Sequence, residues 1–120
     1  MKGKQYLTRS EQFAVVYREG RSWADKLVVM KALPNKFTWS RYGFSVSRRV
    51  GGAVIRNRAK RRLREILRAT PVKPGWDIIF IARPPAGTGR YAEINKSVVE
   101  LLCRAQLLAE NYEEICLSAN

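Results

Sequence analysis

Apolar residues recur with helical spacing in some segments of the chain and as short extended runs in others. Helix-boundary residues and helical spacing together predict three helices, over residues 9–19, 53–69 and 91–109. Short continuous or alternating apolar runs predict three strands, over residues 27–33, 42–47 and 76–82. A further strand fits between residues 21 and 47. The pattern therefore predicts the element order α-β-β-(β)-α-β-α.

Residues that start and stop helices stand at the ends of these segments. Thr8 and Glu11 have the spacing of a capping box, and Gly20 fits the position just past a helix end. Gly51-Gly52 precedes the second helix and Thr70-Pro71 follows it. In the third helix, one face collects apolar residues that we expect to be buried: Tyr91, Ile94, Val98, Leu101, Leu102, Ala105 and Leu108.

Alternating helices and strands favour an α/β (α+β) two-layer sandwich, in which helices pack on a small mixed sheet. The 120 residues suffice for one domain, which we assign to residues 1–110. Residues 111–120 follow as an acidic C-terminal tail that we expect to be flexible. No apolar run reaches the roughly 18 residues of a bilayer span, and no signal-type apolar segment follows the basic N-terminus. We therefore expect a cytoplasmic protein.

Positive charge dominates the composition and is concentrated in one segment. The chain has 23 Lys and Arg against 10 Asp and Glu, a formal net charge of +13. Residues 48–68 carry nine basic side chains and one acidic one, Glu65, and so account for +8 of that charge. The basic residues of this segment are Arg48, Arg49, Arg56, Arg58, Lys60, Arg61, Arg62, Arg64 and Arg68.

The second predicted helix divides into an apolar stripe and a basic remainder. Ile55, Ala59, Leu63, Ile66 and Leu67 share an arc that must face the core. The cations around the rest of the helix repel one another at i,i+4 spacing, which makes a solvated charge run an unsatisfactory explanation. A polyanion is the expected neutraliser, and arginine is suited to bidentate phosphate contacts.

The composition also excludes several kinds of chemistry. The chain has no histidine, which rules out Ser-His-Asp and Cys-His nucleophilic sites and histidine-ligated zinc. Cys103 and Cys116 are too few for a four-cysteine zinc site, and we expect both to be thiols. No glycine-rich nucleotide-binding motif occurs. The chain is therefore poorly equipped for covalent or acid–base catalysis.

Three kinds of polyanion compete as the partner of the basic helix. Membrane-surface helices need exposed apolar anchors, whereas this apolar stripe is expected to face a core. A DNA-reading helix would carry its base contacts at one end rather than arginines along its length. RNA fits better, either in a ribonucleoprotein enzyme or as the ligand of a ribosomal or other non-catalytic protein. Phe13 and Tyr17, one turn apart, could be core residues or a platform for unstacked bases.

The basic segment resembles the signature of the bacterial ribonuclease P protein component. The signature is Arg56-Asn57-Arg58, followed one residue later by Lys60-Arg61. Three further blocks match in order along most of the chain: Phe13, Tyr17 and Gly20 of the first helix, the strand Gly43–Arg49, and Ile81-Ala-Arg-Pro84.

The resemblance implies the protein subunit of a ribonucleoprotein endonuclease that removes the 5′ leader of precursor tRNA. In that family the RNA subunit carries the active site and holds the magnesium ions, so no catalytic residue is expected in this chain. The protein binds the leader in a cleft between the first helix and the sheet, and it lowers the need for high salt. We expect one protein per RNA, with no membrane or DNA partner. The family fold has a left-handed crossover at the arginine helix and resembles the second domain of a small-subunit ribosomal protein.

The resemblance also assigns residues to two RNA-binding surfaces. The leader cleft would contain Phe13, Tyr17, Lys31, Arg56, Asn57, Lys60 and Arg64. Contacts with the RNA subunit would come from Arg48, Arg49, Arg58, Arg61, Arg62 and Arg68. Two positions differ from the family pattern. Lys31 stands where relatives often have another cleft aromatic, which predicts a phosphate contact, and Gly52 stands where asparagine is common.

Overall fold

The computed structural model describes residues 5–109 and contains three α-helices and four strands in that range. The helices are α1 (Ser10–Glu19), α2 (Ala53–Ala69) and α3 (Tyr91–Arg104). The strands are β1 (Arg21–Ala24), β2 (Val28–Pro34), β3 (Arg41–Val46) and β4 (Trp76–Ala82). A 3-10 turn at Pro84–Gly87 joins β4 to α3. The predicted order of elements is confirmed, and β1 is the additional strand.

The four strands form one mixed sheet in the order β1-β2-β4-β3. The pairs β1–β2 and β2–β4 are antiparallel, whereas β3 and β4 are parallel. A parallel pair needs a crossover connection, and α2 provides it. Helix α2 contacts β3, one of the two edge strands of the sheet. The left-handedness expected for this crossover stays a prediction.

Alternation along β4 sends side chains to both faces of the sheet. Ile78 and Phe80 join the main core, where they are buried with Leu63 of α2 and Leu101 of α3. The intervening Ile79 belongs to a smaller cluster with Val16 of α1. Helices α2 and α3 therefore pack on one face, and α1 covers part of the other. This arrangement confirms the predicted α+β fold with a small mixed sheet.

The third helix ends earlier than its apolar pattern predicts. It stops at Arg104, and Gln106 adopts a left-handed backbone with φ of 60°. Leu108 is still buried, but it lies in an antiparallel bridge to Val72 rather than on a helix face. Tyr91, expected in the core, is 40% exposed. The prediction of a helix to residue 109 with Tyr91 buried is therefore wrong.

Two smaller expectations also fail. Helix α1 begins at Ser10, and the side chain of Gln12, not Glu11, accepts hydrogen bonds from the backbone N–H groups of Thr8 and Arg9. Cys103 is disulfide-bonded rather than a thiol. Cys116 and the acidic tail predicted at 111–120 lie outside the described residues.

A buried ion pair joins the N-terminal ends of β3 and β4. The Arg41 guanidinium donates to both carboxylate oxygens of Asp77, over 2.8 and 2.6 Å. The Asn35 side-chain amide donates a third bond to the same carboxylate, over 2.9 Å. These bonds fix the strand ends on which the N-terminal segment packs. Within residues 5–109, no helix is long and apolar enough to cross a membrane.

Candidate nucleic-acid interface

Two aromatic rings project from α1 along one helix face. The ring centroids of Phe13 and Tyr17 are 6.4 Å apart, with the ring planes inclined by 40°. Phe13 is half-buried against Gly43 of β3, whereas Tyr17 is 40% exposed. The sequence left a core pair and a stacking platform as alternatives. The structure gives Phe13 a partly structural position and leaves the Tyr17 ring open to solvent.

Lys31 of β2 lies beside this aromatic pair. Its Nζ is 5.9 Å from the centroid of the Tyr17 ring, within cation–π range. Lys31 pairs with Ile79 across the strands, so it projects from the sheet face that α1 covers. A cation next to an exposed aromatic ring can bind a phosphate while the ring stacks on the adjoining base. The structure thus brings together three of the residues assigned to the leader cleft.

Helix α2 contributes a row of cations along the edge strand β3. Lys60, Arg64 and Arg68 are spaced by four residues and line one pocket, together with Phe13 and Gly43. The pocket has a volume of about 500 Å³. Arg68, which the resemblance assigned to the RNA subunit, therefore lies with Lys60 and Arg64 rather than on a separate surface. Phe13 of α1 and these cations of α2 therefore meet at the β3 edge of the sheet.

The two residues at the start of the basic motif differ in exposure. Arg56 is half-buried, and its Nε atom is buried without a hydrogen-bond partner among the described residues. Asn57 is exposed. A buried unpaired donor is costly, and no described residue offsets that cost at Arg56.

Arg58 and Arg62 have a role within the fold that the sequence did not indicate. Arg58 donates to the carbonyl of Gly87 over 3.0 Å, and Arg62 donates to the carbonyl of Gly89 over 2.9 Å. Both bonds fasten the loop after β4 to α2. Each residue is half-buried, so these arginines combine a structural bond with a partly exposed charge.

Three further arginines assigned to the RNA subunit are exposed. Arg48 and Arg49 lie in the turn between β3 and α2, and Arg61 lies on the outer side of α2. Across residues 5–109, none of the α2 cations takes part in a salt bridge, because the two pairs found are Arg18–Glu19 and Arg41–Asp77. The helix therefore presents its charge to solvent without neutralisation from the described part of the chain.

Sequence reasoning missed the aromatic residues that complete the pocket beside α2. Tyr6, Tyr42 and Phe44 all line it. Burial and the neighbouring Tyr6 raise the pKa of Tyr42 from its ordinary value of 10.0 to about 12, so its hydroxyl stays protonated further into alkaline pH than that of an exposed tyrosine. The only available signal was the aromatic content of the segment before α1 and of β3. Because the contact joins residues 36 positions apart, no local pattern could indicate it.

The described residues hold no group of three or more Cys, Asp or Glu side chains that could bind a metal ion. What the site offers is aromatic surface and positive charge. These groups suit a single-stranded, phosphate-rich ligand whose bases are unstacked.

Comparison with known proteins identifies a family for this arrangement. A sequence model of the family described as Ribonuclease P matches residues 1–106. The chain is 49% identical to the ribonuclease P protein component of Dehalococcoides mccartyi, over the full length of both chains. It is 43% identical to that of Roseiflexus castenholzii, over 88% of both chains. A solved Staphylococcus aureus RNase P protein, a mutant with defective mRNA degradation activity, superposes with a TM-score of 0.84 at 31% identity, covering 90% of this chain and 93% of that one.

Proposed function

The chain belongs to the ribonuclease P protein family, whose role is in tRNA 5′ processing, and we propose that it binds both the 5′ leader of precursor tRNA and the catalytic RNA subunit. In this proposal the protein supplies binding and charge, and the RNA supplies the active site. The protein works in the cytoplasm, where precursor tRNA is made. One protein binds each RNA subunit.

The observation that carries leader binding is the alignment of Tyr17, Phe13 and Lys31 on one side of the sheet. Tyr17 is exposed and 5.9 Å from the Lys31 ammonium, and Phe13 continues the aromatic surface toward α2. A leader is a single strand whose bases are free to stack on such rings, each stack contributing roughly 1–3 kcal/mol. Mature tRNA lacks this strand. The site therefore discriminates between precursor and product.

The cations of α2 extend this surface toward the leader backbone. Lys60 and Arg64 border the pocket that also contains Phe13, and Asn57 is exposed one to two turns earlier along the helix. Arg56 has a buried Nε that lacks a partner in the described chain. Each phosphate neutralised by such a side chain releases condensed counterions, which makes binding strong at low salt.

The RNA subunit is assigned to the outward side of α2 and the turn before it. Arg48, Arg49 and Arg61 are exposed there, and Arg58 and Arg62 project from the same side while holding the loop after β4. The separation of this side from the aromatic pair supports one protein contacting two RNAs at once, the catalytic subunit and the substrate.

Magnesium ions, held mainly by the RNA subunit, would activate water and stabilise the leaving oxygen in the cleavage step. When precursor tRNA and the RNA subunit come together, their phosphate groups repel one another. The α2 cations offset part of this repulsion. The protein is therefore expected to lower the magnesium concentration that cleavage requires.

Reconstitution tests the proposal. The protein is mixed with ribonuclease P RNA and precursor tRNA at low magnesium, and release of the 5′ leader is followed on a gel. We expect cleavage at the mature 5′ end to rise well above that of the RNA alone. No gain in cleavage at any protein concentration would contradict the proposed function.

A further inference from the structure

We propose that the pocket between the N-terminal segment, β3 and α2 binds one unstacked nucleotide of an RNA strand, with its base against the aromatic wall and its phosphate against the cations. We call it the nucleotide pocket and define it by Tyr6, Phe13, Tyr42, Lys60, Arg64 and Arg68. The inference rests on the proposed function, because it takes the ligand to be an RNA of the ribonuclease P reaction.

The size and chemistry of the pocket fit a nucleotide. Its volume of about 500 Å³ lies within the roughly 300–1,000 Å³ usual for small-ligand sites. The aromatic part of its lining comes from the N-terminal segment, α1 and β3, and its cations come from α2, so it offers both stacking surface and charge for the two halves of a nucleotide. Proteins that bind single strands combine stacking surfaces and backbone-tracking cations in the same way.

The aromatic wall is held in place by the backbone. Tyr6 forms a parallel bridge with Tyr42, and the N–H of Leu7 donates to the carbonyl of Tyr42 over 2.8 Å. The ring of Tyr6 is half-buried and contacts Phe44, with centroids 6.2 Å apart and planes inclined by 53°. A ring whose backbone is already ordered loses little conformational freedom when a base stacks on it.

The Tyr42 hydroxyl adds a hydrogen-bonding group to this aromatic surface. The Tyr42 hydroxyl is neutral at physiological pH and can donate to, or accept from, the edge of a base. Tyr42 lines the same pocket as Tyr6 and the cations of α2, which supports base recognition in addition to stacking.

The cations of the pocket lack an anionic partner among residues 5–109. Lys60, Arg64 and Arg68 are neighbours at i,i+4 spacing, so they repel one another in the free protein. None of them is in a salt bridge with another residue of 5–109. A phosphate in the pocket would contact cations from successive helix turns and would relieve this repulsion.

The nucleotide pocket overlaps the proposed leader site only in part. It shares Phe13, Lys60 and Arg64 with that site, whereas Tyr17 and Lys31 do not line the pocket. The nucleotide could be a residue of the leader that continues past Phe13, or an unpaired residue of the RNA subunit next to α2. The chemistry is the same in both cases, and the experiment separates them.

The test uses the full chain with ribonuclease P RNA and four variants. Tyr6→Leu removes the ring but keeps an apolar contact with Phe44, and Tyr6→Phe keeps the ring. Arg68→Gln removes one pocket cation. Lys96→Gln, at an exposed position of α3 outside the pocket, is the matched control for loss of a charge.

Three affinities are measured for each protein: that of the protein for the RNA subunit, and those of the assembled holoenzyme for precursor tRNA and for mature tRNA. We expect Tyr6→Leu to weaken binding roughly tenfold, either to the RNA subunit or to precursor tRNA. Tyr6→Phe should bind both RNAs with the wild-type affinity. Arg68→Gln should reduce the slope of log affinity against log salt by about 0.7 in the same measurement. A loss confined to precursor tRNA identifies a leader nucleotide, and a loss for the RNA subunit identifies one of its own.

The inference is overturned if Tyr6→Leu and Arg68→Gln match Lys96→Gln in all three affinities, or if Tyr6→Phe binds as weakly as Tyr6→Leu. Thermal melts of all four variants establish that they fold, and only those that melt as the wild type does are compared. If the wild-type protein fails to stimulate cleavage, the proposed function fails. If it stimulates cleavage and the pocket variants behave as controls, only the nucleotide pocket fails.

Discussion

The ring of Phe13 lies directly on the backbone of Gly43. A Cβ atom at residue 43 would be 2.6 Å from Cε2 of Phe13, closer than such atoms approach in real proteins. The absence of a side chain at Gly43 therefore allows α1 to pack this closely on β3. This contact places Phe13 between the exposed Tyr17 ring and the pocket beside α2.

Gly43→Ala should therefore displace the Phe13 ring. We expect the free energy of unfolding to fall by about 1–3 kcal/mol, the usual cost of forcing an extra methyl group into a packed site. The measurement is urea denaturation followed by circular dichroism. Gly89→Ala is the control, because a Cβ there meets its nearest neighbour at an ordinary 3.5 Å. Equal stability of the two variants would show that Phe13 does not depend on Gly43.

The two aromatic residues of α1 should differ in their contribution to stability. Phe13→Ala removes a half-buried ring, and we expect a loss of about 2 kcal/mol, below the roughly 3–5 kcal/mol of a fully buried phenylalanine. Tyr17→Ala removes a ring that is 40% exposed and should change stability by no more than about 0.5 kcal/mol. Denaturant titration of both variants checks this. A large loss for Tyr17→Ala would mean that its ring belongs to the core.

The sequence predicted the elements with strong periodicity and clear boundary residues. The observed α2 and β4 match the predicted bounds 53–69 and 76–82, because glycine, proline and threonine mark their ends. The end of α3 was missed because Gln106 takes the left-handed conformation that glycine usually supplies. No residue type marked the stop, and the apolar pattern continued beyond it.

The candidate site was predictable only where family resemblance or helix periodicity placed a residue. The spacing of Lys60 and Arg64 put them on one side of α2, and the structure confirms that placement. Tyr6 and Tyr42 were missed because they meet through a bridge between distant segments. The bonds of Arg58 and Arg62 to the loop after β4 are likewise tertiary, and a helical wheel contains no information about them.

The ion pair between Arg41 and Asp77 should contribute far more to stability than the exposed pair on α1. The two side chains are only 17% and 10% exposed, and their hydrogen bond raises the pKa of Arg41. Arg41→Met leaves the buried carboxylate without its cation and should cost about 3 kcal/mol. Arg18→Met, the control, breaks the pair with Glu19, whose side chains are 68% and 54% exposed, and should cost close to nothing. Similar losses for both variants would contradict the assignment of a structural role to Arg41.

Stability should fall at high pH because of Tyr42. Burial, with a smaller contribution from Tyr6, raises the pKa of Tyr42 from about 10 to about 12 in the folded protein. The stabilising effect is complete below pH 10 and is lost as the pH rises toward 12, because the unfolded state ionises first. We expect the wild-type protein to lose about 2 kcal/mol more than Tyr42→Phe over this interval. Parallel stability curves for the two proteins between pH 9 and pH 12 would show that the phenol is not protected by the fold.

The most direct test of leader binding compares precursor and mature tRNA on the assembled holoenzyme. The affinities of both RNAs are measured with the wild-type protein and with the double variant of Phe13→Ala and Tyr17→Ala. We expect the double variant to lose affinity for precursor tRNA, by roughly tenfold or more for two lost stacks, and to bind mature tRNA as the wild type does. An equal loss for both RNAs would contradict leader binding at these rings, because they would then be core residues or general RNA contacts.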